Sequence, residues 1–329
     1  FSAPVILRHE QSDADRLVLL AHDTDPFARW EAGRTLSKDR LMRAVAEGRD
    51  FDAGWLDAVA VLACDDRADP AFRALAVALP SEDDLAGSLH GADVVPDPDS
   101  IYAVRRRAQV AMAERLGDDL PRLRETMAVP GDYEPKAEDA GKRAFAATLL
   151  RLATLIDRGE AARRAYARAD NMTDRMEGFT CLLEVGDPDV AAAFEAEWKD
   201  DRLVMDKWFM AQVAHAAPRE AVAVAERLMA HPAFDAANPN RFRSVVGGLT
   251  VGNPAGFHDA SGAGYDFLAA RLVELDRTNP QTAARMSTAF ETWRRYDADR
   301  QDLMRAALER MAAGASSRDM GEMVARMLG

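Results

Sequence analysis

Apolar residues recur along most of the chain at the spacing of one-sided helices. In FAATLLRLATLIDRG, residues 145–159, the leucines and isoleucine recur at helical spacing. The segment RLVMDKWFMAQVAHA, residues 202–216, repeats the pattern with Val204, Trp208, Phe209 and Val213. Runs of β-branched residues bounded by glycine, which are typical of strands, are rare. The pattern therefore predicts helices almost throughout and essentially no sheet.

Aspartate or asparagine followed by proline marks the predicted start of several helices. The carboxylate or amide oxygen caps the free N–H groups of the first turn, and proline fits that turn without loss of a hydrogen bond. Short breakers separate the helices, and short connections place successive helices antiparallel. The capping pairs are Asp25-Pro26, Asp69-Pro70, Asp187-Pro188, Asn238-Pro239, Asn253-Pro254 and Asn279-Pro280.

These features predict an all-α fold, an irregular superhelical stack of antiparallel helical hairpins of the ARM/HEAT-like α-solenoid kind. No sequence repeat of fixed length is strong enough to name a repeat family. Only residues 94–100 and 128–135 look like longer loops, and neither has the length or low complexity of an interdomain linker. We therefore predict one helical-repeat domain over residues 9–329, preceded by an extended lead-in at residues 1–8.

Composition narrows the classes of function. The net charge of -13 argues against a nucleic-acid binder, because duplex binding needs a concentrated basic surface. No apolar run approaches the roughly 18 to 20 residues that cross a bilayer. Cys64 and Cys181 lie in apolar helical surroundings, which predicts buried free thiols and is compatible with the cytoplasm. The chain opens without Met on an apolar segment, which suggests a piece of a longer protein.

The sequence offers no self-contained catalyst. His9-Glu10-Gln11-Ser12-Asp13 approaches the His-Glu-x-x-His pattern of zinc peptidases, but its last position is Asp13 instead of histidine. The other histidines are scattered without helical partners at ligand spacing. No glycine-rich phosphate loop and no nucleophile elbow occurs. We therefore predict no catalytic residue and no metal ligand in this chain.

Several unusual motifs together carry a resemblance to a known family. The chain is similar to the C-terminal domain of bacterial aminopeptidase N, in the order and spacing of the motifs as well as in their residues. The likeness covers almost the whole chain and is strongest in its last 160 or so residues. The motifs are NMTDR at 171–175, LVMDKWF at 203–209, NPNRFRS at 238–244, NPAGFH at 253–258, SGAGY at 261–265, NPQTAAR at 279–285 and RYDADRQDLMRAAL at 295–308.

The resemblance implies a cytoplasmic, zinc-dependent aminopeptidase of the gluzincin clan as the parent enzyme. In that family a helical domain caps the catalytic domain and encloses a chamber around the zinc, which decides which peptides reach the metal. The expected partners are the catalytic and β-sandwich domains of the same chain and peptide substrates, with no nucleic acid, no membrane and a monomeric state. The zinc-binding His-Glu-x-x-His of the family has no counterpart here, so the cofactor expectation is zinc in the parent and none in this chain.

The resemblance also names candidate residues that line the chamber. Arg243 matches a family arginine that faces the interior, and Arg285 matches another that approaches the active site. Arg241 and Arg243 are two residues apart, so on a helix they point about 200° apart and must have different roles. For Tyr265 two alternatives stay open, core packing or lining of the chamber. The charged segment RYDADRQ, residues 295–301, is predicted to be a surface array of salt bridges.

Two other functions remain open from the sequence. The chain could be a free-standing helical-repeat scaffold that binds protein or peptide, or a helical domain that only stabilises a neighbour. An upstream reading frame that encodes His-Glu-x-x-His in the same gene would support the enzyme part and remove the scaffold. A concave surface without aimed polar residues would favour the purely structural role.

Overall fold

The structure is a computed structural model that describes residues 11–329. The predicted lead-in at residues 1–8 and the residues His9 and Glu10 lie outside the described residues. Within residues 11–329 the chain forms helices and no strand, which confirms the all-α prediction. The α-helices are α1 Asp13–His22, α2 Pro26–Glu47, α3 Ala53–Cys64, α4 Pro70–Val77, α5 Glu82–Gly91, α6 Pro98–Leu116, α7 Asp119–Thr126, α8 Ala137–Ile156, α9 Glu160–Arg168, α10 Met172–Glu184, α11 Val190–Trp198, α12 Arg202–Ala214, α13 Ala221–Met229, α14 Pro239–Thr250, α15 Pro254–Phe257, α16 Ala263–Asp276, α17 Pro280–Ser287, α18 Ala298–Gly314 and α19 Arg318–Leu328.

Helix starts follow the predicted capping pairs closely. Five of the six aspartates or asparagines accept a hydrogen bond from a backbone N–H of the first turn, with proline at the start of the helix. The exception is Asp187, whose carboxylate accepts from the backbone N–H groups of Asp189 and Val190. Helix α11 therefore begins two residues after the predicted proline, at Val190.

The chain divides into two compact units, which interleave in sequence. The first comprises the residues up to Pro80 together with Arg105–Ile156. In it α1 packs on α2, and α8 packs on α4 and α7. Its core includes the fully buried Trp55 and Phe145, and the indole N–H of Trp55 donates to the hydroxyl of Ser37 at 3.2 Å.

The second unit comprises Ser81–Val104 and Asp157–Gly329. Helices α9 to α14 pack in sequence order, and α16 to α19 form a second group with several mutual contacts. The largest fully buried side chains of this unit are aromatic, with Phe179, Phe194, Phe209, Phe257, Tyr265 and Phe290 among them. The division into units does not test whether they fold separately, so the single helical domain remains a prediction.

Helices α12 and α14 are the most extensively packed pair of the second unit, and they run in the same direction. Arg241 Nε donates to Asp206 Oδ1 at 2.5 Å near their starts. Near their ends a Cβ atom on Gly252 would lie 2.7 Å from the Cβ of Ala214. The intervening helix α13 packs on both of them. Parallel neighbours with a returning helix between them are what a stack of helical hairpins produces.

Two properties bear on the class of protein. Within the described residues no helix is both long and apolar enough to cross a membrane. Neither of the two cysteines forms a disulfide; Cys181 is buried and Cys64 is half-buried.

Candidate functional site

The two arginines at the start of α14 have different environments. Asn238 caps this helix and Pro239 opens it, which fixes the phase of the residues that follow. Arg241 is 5% exposed, and its Nε donates to Asp206 Oδ1 at 2.5 Å. Its other nitrogens donate to the backbone carbonyls of Ala233 and Arg202, and its guanidinium lies 4.6 Å from the centre of the Phe209 ring. The hydrogen bonds of Arg241 therefore hold α12 and α14 together, and its role is structural.

Arg243 has the opposite environment. It is exposed, and no residue among 11–329 makes a hydrogen bond or an ion pair with its side chain. A helix rotates by about 100° per residue, so the burial of Arg241 directs Arg243 away from the contact with α12. The free guanidinium retains five N–H donors for a ligand.

Arg285 is also exposed and free within the part of the chain that the structure describes. It lies in α17, which Asn279 caps by accepting a hydrogen bond from the backbone N–H of Thr282 at 3.1 Å. Ala283 and Ala284, which precede Arg285, are buried, so their side of α17 faces the core and Arg285 lies on the exposed side. Its guanidinium makes no hydrogen bond or ion pair with the described residues.

Tyr265 lies in the core. Its side chain is fully buried, and its hydroxyl lies 3.0 Å from Nδ1 of His258. Burial raises the pKa of this phenol well above its usual range. A fully buried side chain cannot touch a peptide on the surface of the chain, so of the two alternatives that the sequence left open the structure shows packing.

His258 is the centre of a buried polar cluster that the sequence did not predict. Its Nε2 lies 3.0 Å from the hydroxyl of Tyr296, so both ring nitrogens face a tyrosine hydroxyl. Burial, together with the nearby charges of Arg295 and Arg300, lowers the pKa of His258 to about 3. The imidazole is therefore neutral at physiological pH, and one of its nitrogens donates while the other accepts.

The segment at residues 295–301 corrects the prediction of a surface array. Arg300 is 8% exposed; its Nε donates to the backbone carbonyl of His258 at 2.8 Å and its NH1 to Asp297 at 2.8 Å. Arg295, with a 10% exposed side chain, donates to the hydroxyl of Tyr296 at 2.7 Å. Charge density on an alanine-rich helix did not reveal this burial, because the groups that cover the arginines come from distant parts of the chain.

Those distant groups belong to the segment Ser81–Val104. Arg295 pairs with Asp83 at 2.5 Å, and Arg300 lies 3.3 Å from Asp99 and 3.6 Å from Asp97. The two arginines therefore fasten α5 and the start of α6 to the last helices of the second unit. This is a structural role, and neither arginine is free to bind a ligand.

Among the described residues no group of three or more His, Cys, Asp or Glu side chains has the arrangement of a metal site. An open cavity of about 530 Å³ lies before α12, lined by Glu197, Trp198 and residues 200–203. It contains none of the three candidate residues of the sequence analysis.

Comparisons with known proteins agree with the resemblance. Residues 13–329 match the family described as a domain of unknown function, DUF3458_C, ARM repeats. Aminopeptidase N of Caulobacter vibrioides is 38% identical over 338 residues, which cover all of this chain and 39% of the relative. Aminopeptidase N of Escherichia coli is 32% identical, over 94% of this chain and 36% of the relative.

A solved structure gives the same result. Aminopeptidase A of Legionella pneumophila, in complex with aspartic acid, superposes with a TM-score of 0.88 at 26% identity, over 99% of this chain and 40% of that chain. The chain belongs to the DUF3458_C family of ARM-repeat domains. Along its length it matches the C-terminal domain of an aminopeptidase N-like enzyme, and it spans about two fifths of the length of the relatives that it matches.

Proposed function

We propose that this chain is the part of a zinc-dependent aminopeptidase that encloses the active-site chamber and controls which peptides reach the metal. In this proposal Arg243 and Arg285 contact the bound peptide, and the zinc and its ligands belong to another part of the parent enzyme. The chain itself supplies no catalytic residue. The parent would be a cytoplasmic monomer, and Cys64 and Cys181, which form no disulfide, fit a reducing compartment.

The observation that carries the proposal is the contrast between Arg241 and Arg243. A structural arginine in this chain is buried and bonded, as Arg241 is. Arg243 and Arg285, the two arginines that the resemblance selects, are exposed and have no partner among residues 11–329. Neither arginine is therefore used for a hydrogen bond or an ion pair within the described residues, and this supports a role in binding a ligand.

The chemistry of the guanidinium suits a peptide. It stays charged at all physiological pH values, and its planar fork can donate two hydrogen bonds to a carbonyl oxygen or to a carboxylate. Such bonds hold an extended peptide without any requirement for one particular side chain. Binding of this kind would position the peptide for hydrolysis, while the hydrolysis itself takes place at the zinc of the parent enzyme.

The test uses the full-length parent enzyme with Arg243→Ala and Arg285→Ala. Each lost charged hydrogen bond is expected to lower kcat/KM for peptides by roughly tenfold to a hundredfold, about 1.5 to 3 kcal/mol in a shielded site. Zinc content and thermal midpoint are expected to stay at the wild-type values, because neither arginine has an internal partner.

Arg227→Ala is the matched control. Arg227 lies on α13, is exposed and likewise has no partner within the described residues, but it is not one of the arginines that the resemblance selects. We expect this variant to behave as wild type. Unchanged kcat/KM in both Arg243→Ala and Arg285→Ala, or an equal loss in Arg227→Ala, would contradict the proposed function.

A further inference from the structure

Most of the buried arginines in the described part of the chain donate hydrogen bonds to an oxygen atom. A guanidinium that loses its hydration needs such an acceptor, because burial of an isolated charge is strongly unfavourable. The acceptors are aspartate carboxylates or, in one case, a backbone carbonyl. The arginines bonded in this way are Arg40, Arg73, Arg241 and Arg300.

Arg143 is also buried, but no oxygen atom among residues 11–329 accepts a hydrogen bond from it. It lies on α8 in the first unit and is 7% exposed. Its Nε is shut off from solvent without a hydrogen-bond partner, and its side chain makes no ion pair with the described residues. The position of this charge is therefore unfavourable unless an acceptor comes from outside the described chain.

The one contact that the guanidinium of Arg143 makes within the described chain is with an aromatic ring. It lies 4.6 Å from the centre of the Tyr133 ring, in the loop between α7 and α8. A ring face attracts a cation, but the N–H groups in the plane of the guanidinium still need acceptors. Only Nε is sealed from solvent, so the two terminal nitrogens are the side that a ligand can reach.

Arg73 shows the complete form of the same arrangement in the same unit. Its guanidinium lies 4.2 Å from the centre of the Phe145 ring, and its Nε donates to the backbone carbonyl of Ala63 at 3.0 Å. Arg143 has the ring but lacks the oxygen. Two terminal N–H groups of a guanidinium match two oxygen atoms of a carboxylate or a phosphate, so an oxyanion would complete the arrangement.

The neighbouring carboxylates do not supply these oxygen atoms. Glu134 pairs with Lys136 at 2.6 Å, and Glu138 pairs with Lys142 at 2.7 Å. Asp139, one turn before Arg143 on α8, makes no ion pair with it.

The character of the loop indicates a small solute in preference to a docked protein domain. Residues 130–138, PGDYEPKAE, are all exposed. Tyr133 is the only large aromatic or aliphatic side chain among these nine residues and is 51% exposed. Protein interfaces are usually anchored by a cluster of such side chains.

We propose that Arg143 and Tyr133 form a binding site for a small oxyanion, a carboxylate or a phosphate, on the first unit. The anion accepts two hydrogen bonds from the terminal nitrogens of Arg143 beside the Tyr133 ring. Because it binds the folded chain, it stabilises this unit by mass action. The site involves neither Arg243 nor Arg285, and it does not depend on the proposed function.

The experiment titrates inorganic phosphate into the full-length parent enzyme by calorimetry, for the wild type and for Arg143→Met. Acetate is the second probe, and the buffer contains no other oxyanion. We expect the wild type to bind phosphate and Arg143→Met to bind it at least about tenfold more weakly, the effect of losing charge-assisted hydrogen bonds. Because Arg143 has no acceptor among the described residues, the thermal midpoint without phosphate should not fall in the variant.

Arg67→Met is the matched control. Arg67 is exposed in the same unit, and its side chain has no partner within the described residues, so the substitution removes the same charge away from the site. We expect it to bind phosphate as the wild type does. Tyr133→Ala, a change at an exposed position, should weaken binding about threefold, because water then surrounds the guanidinium and weakens its hydrogen bonds.

Four results would overturn the site. The first is that neither phosphate nor acetate binds in a way that depends on Arg143. The second is an equal loss in Arg67→Met, which would mean attraction to net charge only. The third is unchanged affinity in Tyr133→Ala. The fourth is a thermal midpoint that falls by several degrees in Arg143→Met without phosphate, because Arg143 would then already pair with Asp139 or with a carboxylate of another domain of the parent chain.

Discussion

The start of α14 and the segment at residues 295–301 are both short stretches with two arginines, and the structure uses them differently. At the start of α14 one arginine is buried and bonded and the other is free. In the second segment Arg295 and Arg300 are both largely covered and bonded. Each stretch contains two arginines, so the number of arginines alone does not indicate whether one of them is available to a ligand.

The difference follows from what lies opposite each arginine. Two residues of spacing in a helix direct Arg241 and Arg243 to different faces, and only one of those faces has a neighbouring helix. Arg295 and Arg300 instead face the aspartates of a segment more than 200 residues earlier in the chain. Whether an arginine is available to a ligand therefore depends on its tertiary neighbours.

The largest effect is expected from Arg300→Met. This change removes the bonds to Asp297, Asp99 and the backbone carbonyl of His258 and leaves the buried carbonyl without its donor. Solvent weakens the two ion pairs because their carboxylates are half-exposed, so the free energy of unfolding should fall by only about 3 kcal/mol. Urea denaturation of the chain measures it.

Arg318→Met serves as the comparison for this prediction. Arg318 is 87% exposed and pairs with Glu322 one turn later on α19, so the free energy of unfolding should change by less than about 0.5 kcal/mol. Equal effects of the two substitutions would mean that Arg300 is no more important to the fold than a surface arginine.

A second prediction concerns the pH dependence that the buried cluster imposes. The pKa of His258 is about 3 in the folded chain, whereas an unfolded histidine titrates near 6.5. Between these values the unfolded state binds the proton and the folded state does not, so stability falls as pH falls. From this residue we expect a loss of roughly 2 kcal/mol between pH 6.5 and pH 5.

The measurement is the free energy of unfolding at several pH values between 7 and 5 for the wild type and for His258→Gln. Most carboxylates titrate below this window, so the difference between the two pH dependences isolates His258. Parallel curves for the two proteins would show that His258 titrates normally in the folded chain, and the buried position of the cluster would be wrong.

Much of the fold could be predicted because it depends on local signals. Asx-Pro pairs and apolar periodicity act within a few residues, and five of six predicted helix starts are correct. Asp187 also accepts a hydrogen bond at a helix start, from the backbone N–H of Val190, but that helix begins two residues after the predicted start at Pro188. Local sequence rules therefore predict the capping residue more accurately than they predict the first residue of the helix.

The candidate site was harder to predict, because burial depends on distant partners. The opposite directions of Arg241 and Arg243 followed from helical geometry, but which of them faces α12 did not. The RYDADRQ segment gave no local sign that Asp83, Asp97 and Asp99 cover its arginines.

The smallest effect tests the two faces of α14 through its adjacent glycines. Gly247 shares the free face with Arg243, and Gly248 shares the packed face with Arg241. A Cβ on Gly248 would lie 2.8 Å from the backbone oxygen of Met210 and 3.1 Å from the Cβ of Val213, whereas one on Gly247 would meet nothing within 4 Å.

Gly247→Ala should therefore raise the free energy of unfolding by up to about 1 kcal/mol, because alanine restricts the unfolded chain and favours the helix. Gly248→Ala should lower it, because the methyl group has to push α12 away. Urea denaturation of both variants decides the matter, and a destabilising Gly247→Ala would show that the face carrying Arg243 is already covered within this chain.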